Sequence, residues 1–214
     1  MTTYNKLVPN TVSFQGLNPL TFLERSAYVY PRKTAVVYGE KHFTYQEFHQ
    51  RVVKLSAALK QVGVAKGDRV AFLVPNLPEM LEGHFGPLRV GAILVALNIR
   101  LSSREIEFII NHSGAKVLVF DSEFAPMVRD IKDRIPLVTT FVQVVDIVEK
   151  AEDIGGPDYE SFLDLGLTSD CRRELDSELD TIAINYTSGT TGTPKGVEYH
   201  SRGAYLAGLG EVIE

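Results

Sequence analysis

Thr181-Ile182-Ala183-Ile184-Asn185-Tyr186-Thr187-Ser188-Gly189-Thr190-Thr191-Gly192-Thr193-Pro194-Lys195-Gly196-Val197 changes character halfway along. Its opening residues alternate, with Ile182, Ile184 and Tyr186 apolar, which predicts a strand turning one face to a core. A run of hydroxyls and glycines follows, closed by Pro194 and Lys195. Such a loop suits a polyphosphate. Gly189, Gly192 and Gly196 permit positive φ and close approach, so successive backbone N–H groups can converge on an anion. The hydroxyls of Thr187, Ser188, Thr190, Thr191 and Thr193 can donate to phosphoryl oxygens. Lys195 adds a point charge, and one charge-assisted bond contributes about 1.5–3 kcal/mol. Pro194 stiffens the turn that aims it, and Gly196-Val197-Glu198-Tyr199 reads as a returning strand.

Two other phosphate or nucleophile motifs fail on spacing. A Walker A loop needs Gly-Lys-Ser/Thr running straight into a helix, whereas Pro194 precedes Lys195 and a strand follows it. A nucleophilic Ser188 would need Gly-x-Ser-x-Gly, and the local string is Tyr-Thr-Ser-Gly-Thr. A solvated Ser/Gly/Thr linker fits poorly between two apolar strands with a Pro-Lys-Gly ending.

Upstream, apolar strands alternate with amphipathic helices. A strap over Leu7–Leu17 leads to Asn18-Pro19, a cap and first-turn proline for a helix from Leu20 to Tyr30. Ala35–Tyr38 and His42–Thr44 predict a hairpin. Thr44-x-x-Glu47 and Ser102-x-x-Glu105 are capping boxes, one opening a helix with Phe48, Val52, Leu55 and Leu59 on one face, the other a helix with Ile106, Ile109 and Ile110. Arg69–Val74, Gly91–Leu97, Lys116–Phe120 and Phe141–Val145 are continuous apolar runs of the kind buried on both faces of a parallel sheet. Helices are expected at Pro78–Val90, near Ser122–Ile135, at Tyr159–Leu165 and from Gly203 to Glu214. The charged run Thr168–Asp180 reads as a surface connection with its charges in water. The alternation implies an α/β fold, a mostly parallel multi-stranded sheet flanked by helices. Residues 1–180 form its N-terminal subdomain, and 181–214 the loop hairpin and the start of the next.

The Tyr186–Val197 string resembles the AMP-binding signature of the acyl-adenylate-forming superfamily throughout its length. The Gly-Asp-Arg-Val…Gly-Ala-Ile…Asn-His-Ser-Gly-Ala-Lys-Val series extends the likeness over most of the chain, nearest to the medium- or long-chain fatty-acyl-CoA synthetase branch. The resemblance implies the N-terminal portion of the large domain of such an enzyme. In that chemistry a carboxylate, here a fatty acid, attacks the α-phosphorus of ATP, pyrophosphate leaves, and CoA displaces AMP from the mixed anhydride. Thr187, Ser188, Gly189, Thr190, Thr191, Gly192, Thr193 and Lys195 would hold the nucleotide's phosphates, with Mg²⁺ bridging oxygens and Thr187 and Thr191 both open as metal contacts. The catalytic residues of the superfamily fall later than Glu214, and its members are much longer, with a small mobile lid. The chain is therefore expected to be a fragment, inactive alone, with exposed apolar surface that favours self-association. Charging of a carrier-protein thiol and a non-catalytic nucleotide-binding or interaction domain are the alternatives. One departure stands out: where the superfamily usually has His, this chain has Ser201, which is expected to cap the following helix.

Composition narrows the classes further. With 214 residues, 44% hydrophobic and a net charge of −5, the chain has a globular composition and lacks the basic excess of a nucleic-acid binder. No apolar run reaches the ~18 residues of a membrane span. The N-terminus carries no charged-then-apolar signal, so the cytoplasm is the expected address, with a peroxisomal signal beyond Glu214 left open. Cys171, alone between Asp170 and Arg172, reads as an exposed and idle thiol. The histidines at 42, 49, 84, 112 and 200 have no metal-ligand spacing, and His112 reads as a cation at a helix end.

Overall fold

Where the helices begin is decided by side-chain chemistry that a short window of sequence contains. Thr44 and Ser102 each accept from the N–H three residues on, while Glu47 and Glu105 accept from the cap N–H at 2.8 and 2.9 Å. Asp158 likewise accepts from Ser161 N–H at 2.9 Å, and Asn18 from Leu20 N–H at 3.0 Å. Each bond satisfies a donor that a helix start leaves orphaned.

The computed structural model describes residues 15–146, 153–166, 171–172, 175–187 and 193–213. The expected strap over Leu7–Leu17 lies mostly outside them, as do Ser188–Gly192. In chain order the elements are α1 (Leu20–Val29), β1 (Thr34–Tyr38), β2 (Lys41–Thr44), α2 (Tyr45–Gln61), β3 (Arg69–Leu73), α3 (Pro78–Arg89), β4 (Ile93–Ala96), α4 (Ser103–Ser113) and β5 (Ala115–Asp121). Then follow α5 (Ala125–Ile131), β6 (Thr140–Val144), α6 (Tyr159–Asp164), β7 (Thr181–Thr187), β8 (Lys195–His200) and α7 (Ser201–Ile213).

β1 and β2 form a separate hairpin, turned at Gly39 with φ of 54°. The other six strands make one sheet in the order β6-β5-β3-β4-β7-β8, parallel except for β8. The fold is thus α/β with a mostly parallel sheet between helices. Alternate residues of the central strands feed two cores. Val70, Phe72, Leu94, Val117 and Val119 pack with α2, α3 and α6, while Ala71, Leu73, Val95, Leu118 and Phe120 pack with α4 and α5. Burial on both faces explains why these strands are unbroken apolar runs.

The helices on the first face are joined by a charge cluster. Arg51 of α2 bonds Glu82 of α3 at 2.5 Å and Glu160 of α6 at 2.6 and 2.9 Å. The buried hydroxyl of Tyr159 donates to Glu82 at 2.7 Å. Burial pushes the Glu82 carboxyl's pKa up while Arg51 pulls it down.

Two expectations need correction. The single helix foreseen near Ser122–Ile135 is α5 flanked by 3₁₀ turns at Ser122–Phe124 and Lys132–Arg134. Pro126 sits in the first turn of α5, where its missing N–H prevents an α-helix from running through from upstream. Cys171 is buried, not exposed: its sulfur lies 3.3 Å from the Ser56 hydroxyl of α2, and it joins the first core as a small apolar side chain. The 175–180 segment lies at the surface as expected, and part of its charge is paired there, since Lys66 bonds Asp176 at 2.6 Å and Asp180 at 3.0 Å.

Helix α3 comes close to the sheet because Gly83 has no side chain. A Cβ there would lie 2.7 Å from the fully buried Phe72 ring. The Gly83→Ala variant should lose about 1–2 kcal/mol in urea unfolding, because overpacking of about 1–3 kcal/mol outweighs the helix-propensity gain of up to about 1 kcal/mol.

Candidate functional site

β7 is a long way in sequence from β4, beside which it enters the sheet. It pairs in parallel with β4 through Leu94–Ala183, Val95–Ile184 and Ala96–Asn185, and antiparallel with β8 from Thr181–His200 to Thr187–Lys195. The alternation of Ile182, Ile184 and Tyr186 predicted one buried face. Both faces are half-covered instead, Ala183 against the first core and Ile184 and Tyr186 against the second, because β7 lies inside the sheet.

Parallel pairing with β4 brings Thr187 to the carboxyl edge of the sheet, where β3, β4, β5 and β6 also end. Open α/β sheets receive ligands at this edge. Thr187 and Lys195 face each other as the last rung of the hairpin, with Thr193 just before, and all three are exposed. Lys195 is exposed, and its amine makes no hydrogen bond or ion pair among the described residues. Ser188, Gly189, Thr190, Thr191 and Gly192 complete the expected set and lie outside the described residues. A recess of about 400 Å³ elsewhere is lined by Gly16, Asn18, Arg172, Asp176, Ser177 and Glu178, and includes none of Thr187, Thr193 or Lys195.

Gly196 does not supply positive φ; it is an ordinary strand residue of β8. Its need for glycine is spatial. A Cβ there would meet Ile184 Cγ2 at 3.1 Å and Tyr186 Cζ at 3.3 Å, so the bare backbone leaves the Tyr186 ring room beside β8.

The base of the hairpin is tied to the N-terminal strap. Ser201, fully buried, does not cap α7 as expected: its hydroxyl donates to Leu17 O at 2.9 Å. The cap is His200, whose Nδ1 accepts from Gly203 N–H at 2.9 Å. α7 begins one residue too early for Ser201 to occupy the capping position. Glu178 completes the tie, accepting from Leu17 N–H at 3.1 Å and from Arg202 at 2.5 Å. Those two donors, the Leu17 N–H first, hold the Glu178 carboxyl below the usual glutamate range. Farther along α7, Tyr205 stacks on Phe22 of α1 at 4.5 Å between centroids.

One contact escaped the sequence reading. His112 lies in the last turn of α4, at the helix end as expected, and also bonds Tyr186: Nδ1 lies 2.7 Å from the hydroxyl, with the rings edge-on at 5.7 Å. The signal was Tyr186 itself, a phenol one residue ahead of the loop whose hydroxyl needed a partner.

This geometry has known counterparts. The family model described as AMP-binding enzyme matches residues 23–212. A peroxisomal butyrate–CoA ligase of Arabidopsis thaliana is 34% identical over 207 residues, covering 92% of this chain and 36% of the relative. 4-Hydroxybutyrate–CoA ligase 2 of Metallosphaera sedula is 36% identical over 214 residues, covering 99% of this chain and 39% of the relative. The chain thus spans less than half the length of these relatives. Among solved structures, an anthranilate CoA ligase in complex with anthranoyl-AMP superposes with a TM-score of 0.80 at 28% identity, over 86% of this chain and 35% of that one. A Mycobacterium tuberculosis fatty acyl CoA synthetase gives 0.74 at 29% identity, over 86% and 34%.

The strap tie has a pH signature. A carboxyl whose folded pKa is depressed contributes stability that is complete above the unfolded value of about 4.3 and lost as pH falls through the folded one. Thermal midpoints recorded on acidification through this window should fall more steeply for the parent chain than for Glu178→Gln, which has no such charge to lose.

Proposed function

The chain belongs to the AMP-binding enzyme family, and we propose that it is the phosphate-gripping part of an ATP-dependent acid–thiol ligase of the acyl-CoA synthetase type. The supporting observation is the Thr187–Lys195 rung, exposed at the carboxyl edge of the sheet. In the reaction so proposed, a carboxylate oxygen bonds to the α-phosphorus of ATP and the bond to the bridging oxygen of pyrophosphate breaks. CoA sulfur then attacks the acyl carbon, and AMP leaves with the bonding pair. Two anions must approach each other, so the main task is neutralising and orienting the triphosphate.

Lys195 would meet the β- and γ-phosphates, and the hydroxyls of Thr187 and Thr193, with Ser188, Thr190, Thr191 and the amides of Gly189 and Gly192, would donate to their oxygens. Mg²⁺ fits this donor set only as a guest of the phosphates. Among the described residues no group of three or more His, Cys, Asp or Glu gathers as a metal site, while Thr187 and Thr191 each offer one hard oxygen. Bound there, the ion would supply charge neutralisation. The division of labour follows the sequence boundary: residues 1–180 form the supporting subdomain, and 181–214 carry the hairpin and lead into the next.

We assign an aliphatic, fatty acid as substrate. The names of the relatives cited widen the test to butyrate and 4-hydroxybutyrate, those of the solved structures to anthranilate and fatty acids. Among the described residues no helix is long and apolar enough to cross a membrane. The cytoplasm is our assigned compartment, with the peroxisome, named for the Arabidopsis relative, as the alternative. Val197, Tyr199 and Leu206 leave an apolar face on β8 and α7, which favours self-association.

A second reading, a nucleotide-binding domain without catalysis, draws on Ser201, which is spent on Leu17 where the superfamily usually has an imidazole. Calorimetry with an ATP analogue and a pyrophosphate-release assay over butyrate, 4-hydroxybutyrate, anthranilate, octanoate and palmitate test both. The 214-residue chain should bind the analogue and release no pyrophosphate. Lys195→Ala should weaken binding about tenfold or more, the equivalent of one charge-assisted bond. Joined to the following portion of the Metallosphaera ligase, the chain should turn over an aliphatic acid with CoA. Binding without turnover in that chimera favours the second reading, and undiminished binding by Lys195→Ala refutes the phosphate grip.

A further inference from the structure

The hairpin outruns the sheet that supports it. The last β4–β7 pair is Ala96–Asn185, yet β7 continues through Tyr186 and Thr187, paired from there only with Gly196 and Lys195 of β8. The two rungs next to the loop are therefore a free two-stranded ribbon, and such ribbons are marginal in water. Something outside the backbone ladder must set the angle at which they project.

One side chain from the free rungs reaches back. Tyr186 folds over Gly196, where any Cβ would crowd the ring, and its hydroxyl meets His112 of α4 at 2.7 Å. His112 in turn stacks on Phe108, one helical turn earlier, with centroids 5.4 Å apart and planes 23° apart. The anchor itself is rigid. The capping box of Ser102 and Glu105 fixes the start of α4. Arg69 of β3 fixes its end, donating Nε to Ser113 O and a terminal nitrogen to Gly114 O at 3.0 Å. Buried Ile106, Ile109 and Ile110 seat the helix on the sheet.

We infer that His112 is a positioning residue for the nucleotide site: through the Tyr186 hydroxyl it ties the unsupported rungs of the hairpin to α4 and so sets where Thr187 and Lys195 point. This rests on the phosphate-grip reading for its consequence, though not for its geometry. His112 touches no reacting group. Its effect on the ligand passes through Tyr186, whose ring fixes the twist of the ribbon between β4 and the loop. Gly196 belongs to the same device, because a Cβ there would press on the ring at 3.3 Å and displace it by a few tenths of an ångström.

The test uses the 214-residue chain and its Tyr186→Phe, His112→Ala and doubly substituted variants. Three quantities are measured: amide exchange at Thr187, Lys195 and Val197 by NMR, affinity for an ATP analogue, and the unfolding midpoint. Tyr186→Phe keeps the ring over Gly196 and removes only the hydroxyl, so it remains informative if His112→Ala disturbs α4. Each single variant should speed exchange at Thr187 and Lys195, leave β3 and β5 amides protected, and weaken the analogue about fivefold, the weight of one neutral hydrogen bond of about 1 kcal/mol. The double variant should be no worse than either single one, since both remove the same bond. Parental exchange and parental affinity in Tyr186→Phe, or additive losses in the double variant, overturn the inference. If the parent chain itself does not bind the analogue, the phosphate-grip reading fails separately, and exchange at Thr187 and Lys195 alone decides whether His112 positions the hairpin.

Discussion

Three rungs between β4 and β7 hold this structure in the form that matters. Leu94–Ala183, Val95–Ile184 and Ala96–Asn185 join segments almost ninety positions apart, so closing that loop costs chain entropy before any contact repays it. What offsets the cost is burial: Val95 and Leu94 are sealed on opposite faces, and Ala183 and Ile184 extend those two cores outward by one strand. Because β4 is parallel to its neighbours, β7 must leave the sheet at the carboxyl edge. The position of Thr187 at that edge is thus a consequence of strand direction.

The rest of the chain stabilises that arrangement from two sides. On one, α2, α3 and α6 converge on the Arg51–Glu82–Tyr159 cluster, where the buried carboxylate is bonded by both partners. A buried charge with satisfied partners contributes little net energy but fixes geometry, since removing one partner strands the other. On the other side, Glu178 and Ser201 fasten the start of α7 to Leu17. The hairpin is held at its base by this tie and near its tip by Tyr186 on His112, so its two ends answer to different parts of the molecule.

Family membership and geometry constrain different things. The matched family spans nearly the whole described chain, which accounts for the order of the elements. Ser201 illustrates what family likeness leaves out. Serine at a usual histidine position looks like a loss, yet the residue is buried and its hydroxyl donates to the Leu17 carbonyl. Cys171 carries the same lesson, since polar sequence neighbours at 170 and 172 did not prevent its thiol from packing against α2.

Local chemistry made much of this protein readable from its residues. The capping boxes at Thr44 and Ser102, the two-sided apolar strands and the paired strands over 181–187 and 195–200 all depend on contacts within a few positions, and each formed as its pattern required. What only the tertiary structure decided are relations between distant segments: that β7 enters beside β4, that Gly196 yields space to Tyr186 rather than adopting positive φ, that Ser201 reaches Leu17 while His200 caps the helix, and that His112 meets a phenol. The physical reason is range. Hydrogen-bonding preference and apolar periodicity are written residue by residue, whereas the partner of a buried hydroxyl or a bare glycine is whatever the packing of remote elements brings within a few ångströms.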